Sequence, residues 1–296
     1  MTTLDLQHIA LLMGKRDKPS IFNDYIDHVA NQSLVPYKAI LQHGGKQGES
    51  LHTHVLNGVL VLETLRQPLE LSDIEARVLY TSFTVHDINK APGQPAEKSF
   101  SRLATKENIV AEIERLELSP FFPEWKDYLE DITSLIREHP GHYGVGGETL
   151  IVKRVNVYRL KYDRVKALAN LMRAADVIDL SHTLTEPAHK NTFLSYLNTY
   201  LADSGQDRQY EFTVHQLTEQ RGLLTNIIHN GITDHLRDKY KLIPLLYYPD
   251  GVAYLVERNQ HFAVGAADIT AMARRIAETI SDMTTSNFEQ FISSTG

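Results

Sequence analysis

Six residues of this sequence combine the types and the order needed to hold a divalent cation: His54, the adjacent pair His86 and Asp87, His139 with His142, and Asp176. A cation held in this way acidifies a bound water and polarises the oxygen it contacts, which is the chemistry of hydrolysis. The chain contains 0 Cys and 14 His, so thiolate sites and disulfides are excluded and a metal must be held by imidazole, carboxylate or water. Asp176 is the most informative of the six. The run Arg173-Ala174-Ala175-Asp176-Val177-Ile178 sets a carboxylate among small and apolar neighbours, where an unpaired charge is costly and a cation relieves the cost. Taken singly, each residue has an ordinary alternative. His54 can be a half-buried histidine, with His52 as its rival, and His86-Asp87 can be a helix-end pair favoured by the macrodipole. His139 and His142 can simply close a helix, and Asp176 can pair with Arg173 or Arg77. Their shared order is harder to explain in this way.

Donors this far apart must be brought together by helices, each projecting inward toward one point. Leu51, Val55, Gly58, Leu62 and Leu65 recur at helical spacing, with His54 beside their face. Ser72-Asp73-Ile74-Glu75 fits a capping box, and Ile74, Val78, Ser82 and Val85 carry the following helix to His86. Ile109, Ile113 and Leu116 predict a short helix. A further one runs through Trp125, Tyr128, Leu129, Ile132, Leu135 and Ile136, and its inward stripe reaches His139 before Pro140 and Gly141 stop it. Residues 144–162 are rich in β-branched side chains and stay open between a strand-like loop and a helix. From Asp163 a strong helix resumes, with Leu168, Met172, Asp176 and Leu180 four residues apart. Beyond Ser181 the pattern loosens. Residues 242–248 and 252–257, flanking Pro249-Asp250-Gly251, read as a β-hairpin, and a last helix follows from Asp268 to about Met283. The expected fold is mainly α: a helical bundle over residues 1–185, then a helical extension over 186–296 containing a small hairpin near 242–257. The boundary at 185 rests only on where the site residues end.

With 296 residues, 42% of them hydrophobic and 23% charged, the chain has the size of one large domain or of a domain with an appendage. It has no uninterrupted apolar run of about 18 residues, and its start (Met1, Thr2, Thr3, Leu4, Asp5) lacks a secretion signal, so the expectation is a cytoplasmic protein without membrane contact. A net charge of −7 argues against general electrostatic coating of nucleic acid and makes any such contact local.

A helix-borne His, an HD dipeptide followed closely by Lys, intervening histidines and an Asp in an Ala-rich helix resemble the HD phosphohydrolase superfamily over roughly residues 50–180. More narrowly, His86-Asp87-Ile88-Asn89-Lys90, Glu138-His139-Pro140-Gly141-His142-Tyr143 and the late run from Leu245 through Pro249-Asp250-Gly251 to Leu255 resemble the N-terminal HD nuclease portion of the large subunit of type I-D CRISPR interference complexes. The resemblance implies an HD-domain bundle and metal ligation by His54, His86, Asp87 and Asp176, with Asp87 placed to bridge two ions and His139 and His142 completing a second position. It also implies a chain that corresponds to the front part of a longer subunit. Two departures stand out: Pro140-Gly141 separates histidines that are adjacent in the pattern, and Asn89 replaces a Gly before the Lys.

The implied activity is phosphodiester hydrolysis, with Asp87 and Lys90 as catalytic residues and Lys90 offsetting charge on the non-bridging oxygens. The mixed donor set favours Mn²⁺, Co²⁺, Ni²⁺ or Fe²⁺ over Mg²⁺, as one or two ions. Lys153, Arg154, Arg159 and Lys161, followed by Arg164 and Lys166 and interleaved with Tyr158 and Tyr162, form the candidate nucleic-acid-binding stretch. A solvated helix face is its plain alternative. The leading expectation is a single-stranded DNA nuclease in antiviral defence, with a helicase and the other subunits of an RNA-guided complex as partners. A hydrolase of small nucleotides and a non-catalytic scaffold with a degenerate site are the competing readings.

Overall fold

A computed structural model describes residues 20–41, 50–91, 103–137, 158–178, 187–216, 223–248, 251–258, 260–261 and 263–282. They form a mainly helical chain with one small antiparallel sheet, as expected from the periodicity, in two compact units, Met1–Arg208 and Gln209–Gly296.

In the first unit, α1 (Ile21–Tyr25) continues directly into a π-helical segment, Ile26–Ser33, and a 3₁₀ turn, Val35–Ala39. Helix α2 (Leu51–Arg66) begins where the Ser50 hydroxyl accepts the Thr53 N–H at 3.1 Å. Helix α3 (Asp73–Val85) opens with the capping box read from sequence: the Ser72 hydroxyl accepts the Glu75 N–H, and the Glu75 carboxylate accepts the Ser72 N–H at 2.8 Å. Helices α4 (Lys106–Arg115) and α5 (Leu129–Arg137) follow, the latter led by a 3₁₀ turn over Trp125–Tyr128. Helix α6 (Tyr162–Val177) and helix α7 (Pro187–Asp203) complete the set.

Helix α3 is the hub, packed on α1, α2, α4, α5 and α6, and its residues Val78, Leu79, Tyr80, Phe83 and Val85 are buried. Polar side chains register these contacts. The Tyr80 hydroxyl donates to Glu63 on α2 at 2.5 Å, and Arg164 on α6 is ion-paired with Glu75. The buried Asp131 carboxylate of α5 accepts the backbone N–H groups of Arg159 at 3.1 Å and Leu160 at 2.9 Å, which fixes the entry to α6. Helix α7 lies along α6, with Phe193, Leu197, Tyr200 and Leu201 buried and Asp203 accepting from Lys166 and Asn170 at 3.0 Å each. This packing carries the compact unit past the expected residue 185 to Arg208.

The second unit contains more sheet than the hairpin predicted from sequence. Strand β3 (Gly251–Glu257) pairs with β2 (Ile243–Tyr248), as expected, but also with β1 (Tyr210–Gln216), giving the order β1-β3-β2. Helices α8 (Leu223–Tyr240) and α9 (Ala266–Asp282) complete it. Asp268 ties them, accepting from Lys239 at 2.6 Å and from the Gly265 N–H at 2.8 Å. No helix among the described residues is long and apolar enough to cross a membrane.

Candidate metal centre

Three of the predicted donors meet at one point. His54 projects from the first turns of α2, His86 caps the C-terminus of α3, and Asp176 lies in the last turn of α6. His54 Nε2 is 3.2 Å from His86 Nε2 and 3.1 Å from Asp176 Oδ1, and His86 Nε2 is 3.3 Å from that same oxygen. These edges fall between the separations expected of donors about 2.1 Å from a common ion, which are about 3.0 Å in octahedral and about 3.4 Å in tetrahedral coordination. The triangle therefore has the dimensions of a metal face, and the trio can hold a metal ion.

Its chemistry points the same way. His86 Nδ1 lies 2.6 Å from the Phe83 carbonyl, an oxygen that can only accept, so Nδ1 carries the proton and the Nε2 of the neutral ring turns its lone pair toward the triangle. Helices α3 and α6 both end here, so the negative poles of two macrodipoles converge on the triangle. Asp176 adds a full negative charge at the helix end where an acid is least favoured, and no basic residue occupies that last turn. A cation at the centre offsets all three effects.

Asp87 stands next to the triangle, with Oδ2 3.6 Å from His54 Nε2 and 3.7 Å from His86 Nε2. It begins the 3₁₀ turn Ile88–Lys90, whose three-residue period brings Lys90 over it, and Lys90 Nζ donates to Asp87 Oδ2 at 2.8 Å. Burial pushes the Asp87 carboxyl up, but His86, Lys90 and His54 together hold it well below the usual carboxylate range. Burial pushes His86 down, and the neighbouring Asp87 and Asp176 carboxylates with the Phe83 carbonyl outweigh it, leaving the imidazole above its ordinary value. Access is one-sided: the two histidine side chains are 4% and 1% exposed, whereas those of Asp176 and Lys90 are each 15% exposed.

His52 faces away, with Nε2 3.3 Å from the Ala30 carbonyl, and Arg77 is engaged by Asp24 and the Phe121 carbonyl. His139, His142, Lys153 and Arg154 lie outside the described residues. Of the remaining basic stretch, Arg159 and Lys161 are exposed but precede α6, whereas Asp176 closes it. At 1.5 Å per residue, the helix separates Lys161 from Asp176 by about 22 Å. Arg164 and Lys166 are engaged by Glu75 and Asp203. The exposed basic pair thus stands at the far end of α6 from the triangle. Sequence reasoning missed Phe83 as the residue that fixes the His86 ring; its position three residues before the histidine at a helix end was the available signal.

Neither a protein-family model nor a curated protein sequence matches the chain.

Proposed function

We propose that this chain is a divalent-metal-dependent phosphodiesterase of the HD type that cuts single-stranded DNA, working in the cytoplasm within an RNA-guided type I-D CRISPR interference assembly that includes a helicase. The observation that carries the hydrolase reading is the triangle of His54, His86 and Asp176 with the Asp87-Lys90 pair beside it. The choice of substrate and partners rests on the resemblance of the three sequence motifs.

A divalent ion in this position supplies an acidified water and a Lewis acid for a phosphoryl oxygen. His54, His86 and Asp176 hold it, with two nitrogens and one carboxylate oxygen that suit Mn²⁺, Co²⁺, Ni²⁺ or Fe²⁺ better than Mg²⁺. Asp87 is near enough to join them and keeps the Lys90 ammonium at the open edge. The formal charges of Asp87, Asp176 and Lys90 sum to −1, so a divalent ion makes the site cationic and receptive to a phosphate. Lys90 is then positioned to offset charge on the non-bridging oxygens as they become more negative.

Burial of both histidines favours a second reading, a hydrolase of small nucleotides reached through a narrow opening. Purified protein loaded with Mn²⁺ separates the two. Metal-dependent fragmentation of single-stranded DNA, reduced at least about 100-fold by Asp87→Ala and by Lys90→Met, is the expected result. Intact DNA at full Mn²⁺ occupancy refutes the nuclease; turnover of a nucleotide panel instead identifies the second reading, and no turnover of either identifies a scaffold.

A further inference from the structure

Gly58 sits in the middle of α2, where glycine costs about 1 kcal/mol relative to alanine. It lies one turn beyond His54 on the same helical face. A Cβ at this position would stand 2.0 Å from both Cε1 and Cζ of Phe83 and 2.9 Å from Cδ1. The Phe83 ring therefore occupies the volume that every other residue at position 58 would fill.

That ring is fully buried and reaches both imidazoles of the triangle. Its centroid is 4.4 Å from that of His86 and 5.7 Å from that of His54, and the two imidazoles are 5.2 Å apart. The backbone of the same residue receives the His86 Nδ1 proton at 2.6 Å. Phe83 thus sets the orientation of His86 twice, through its carbonyl and through its ring, and bears on His54 through the ring.

We infer that Gly58 and Phe83 are a pair of positioning residues that set the spacing of the metal-binding triangle from beneath, the missing side chain of one fixing how deeply the ring of the other is seated. This rests on the metal reading of the triangle. Neither residue supplies a donor to it. Their role is to hold His54 Nε2 and His86 Nε2 at a separation that an ion can span, because the missing side chain at Gly58 lets the Phe83 ring of α3 seat directly against α2.

The test uses Co²⁺ alone as the probe, read by absorbance titration and by the shape of its d–d bands at saturation. Gly58→Ala adds one methyl group against the ring and is expected to weaken Co²⁺ binding by about 10- to 100-fold. It is also expected to alter the saturated band shape, which a general loss of stability would leave unchanged. Phe83→Leu in the Gly58→Ala background frees the space and is expected to tighten binding at least about threefold over Gly58→Ala alone. Wild-type affinity and spectrum in Gly58→Ala overturn the inference, as does a double variant no tighter than Gly58→Ala. Should Gly58→Ala fail to fold, Phe83→Leu alone decides: a weakened, spectrally altered site supports the pairing and an unchanged one overturns it. A wild-type protein that takes up no Co²⁺ overturns the metal reading and the pairing with it, whereas normal uptake with an indifferent Gly58→Ala overturns only the pairing.

Discussion

Asp176→Asn preserves the shape of one corner of the triangle and removes its charge. In the metal-free protein the His86 Nδ1 proton is committed to the Phe83 carbonyl, so at a pH above the raised His86 value, where both rings are neutral, at most one imidazole N–H, on His54 Nε2, faces three acceptors. These are His86 Nε2 at 3.2 Å, Asp176 Oδ1 at 3.1 Å and Asp87 Oδ2 at 3.6 Å, the last of which already accepts from Lys90. An amide at position 176 can donate as well as accept, and it takes a negative charge away from two helix C-termini. Metal-free stability is therefore expected to hold within about 1 kcal/mol or to rise. The metal-bound state behaves oppositely. An ion at 100 times its Kd stabilises the wild type by about 2.7 kcal/mol. For a unit reaching Arg208, each kcal/mol raises Tm by about 2–4 °C, so the expected shift is about 5–11 °C. If loss of the anionic donor weakens binding about 100-fold, the same ion concentration yields only about 0.4 kcal/mol, a shift of about 1–2 °C. Thermal melts with Mn²⁺ and Co²⁺ against a chelator blank measure both quantities. A variant that keeps the full metal-induced shift refutes the assignment of Asp176 as a donor, as does a wild type that shows none.

The Glu75-Arg164 pair gives a pH signature distinct from the site. Burial pushes the Glu75 carboxyl up, but the bonds from Arg164 and Ser72 outweigh it and leave the value below its ordinary position. Its contribution is thus complete above the unfolded carboxylate value and fades as pH falls through the lower folded one. Urea titrations are expected to find Glu75→Gln less stable than wild type by about 1–3 kcal/mol at pH 7, with the gap narrowing below about pH 4. Asp131→Ala strips the acceptors from two backbone N–H groups at the entry to α6, at a cost of about 2–4 kcal/mol. Hydrogen exchange should accelerate at Arg159 and Leu160, while Asp131→Asn, which retains an acceptor, loses less.

The fold was legible where one face of an element meets the core. Helices α2, α3 and α6 were read from apolar residues at helical spacing, and the Ser72-Glu75 capping box is present as predicted. The sequence pattern singles out neither helix α7 nor strand β1. The buried stripe Phe193, Leu197, Tyr200 and Leu201 is diluted by Thr, Ser and Asn, and β1 gains its place from a partner, β3, that is distant in sequence. For the site, the order of His54, His86 and Asp176 was sufficient to name three side chains that meet, because each lies on or beside a periodic helix. The distance of the basic stretch from the site was not legible, for a related reason. Proximity in sequence to Asp176 says nothing of direction along α6, and the helix places Lys161 at the opposite end. Nor can a sequence report that a glycine and a phenylalanine share one volume, since Gly58 and Phe83 meet only when α2 and α3 pack.

The triangle has no local part. Its corners come from three helices, and no pair of them lies within one turn or hairpin. An ion at its centre would therefore act as a cross-link, joining segments that the unfolded chain keeps far apart. It would complete its coordination only after α2, α3 and α6 had docked. Such a link bears on the lifetime of the folded state more than on the speed of reaching it, because interactions absent from the folding transition state slow unfolding and leave folding almost untouched. The residues that support hydrolysis in the proposed reading would then also act as the clasp that keeps the bundle closed between rounds of catalysis.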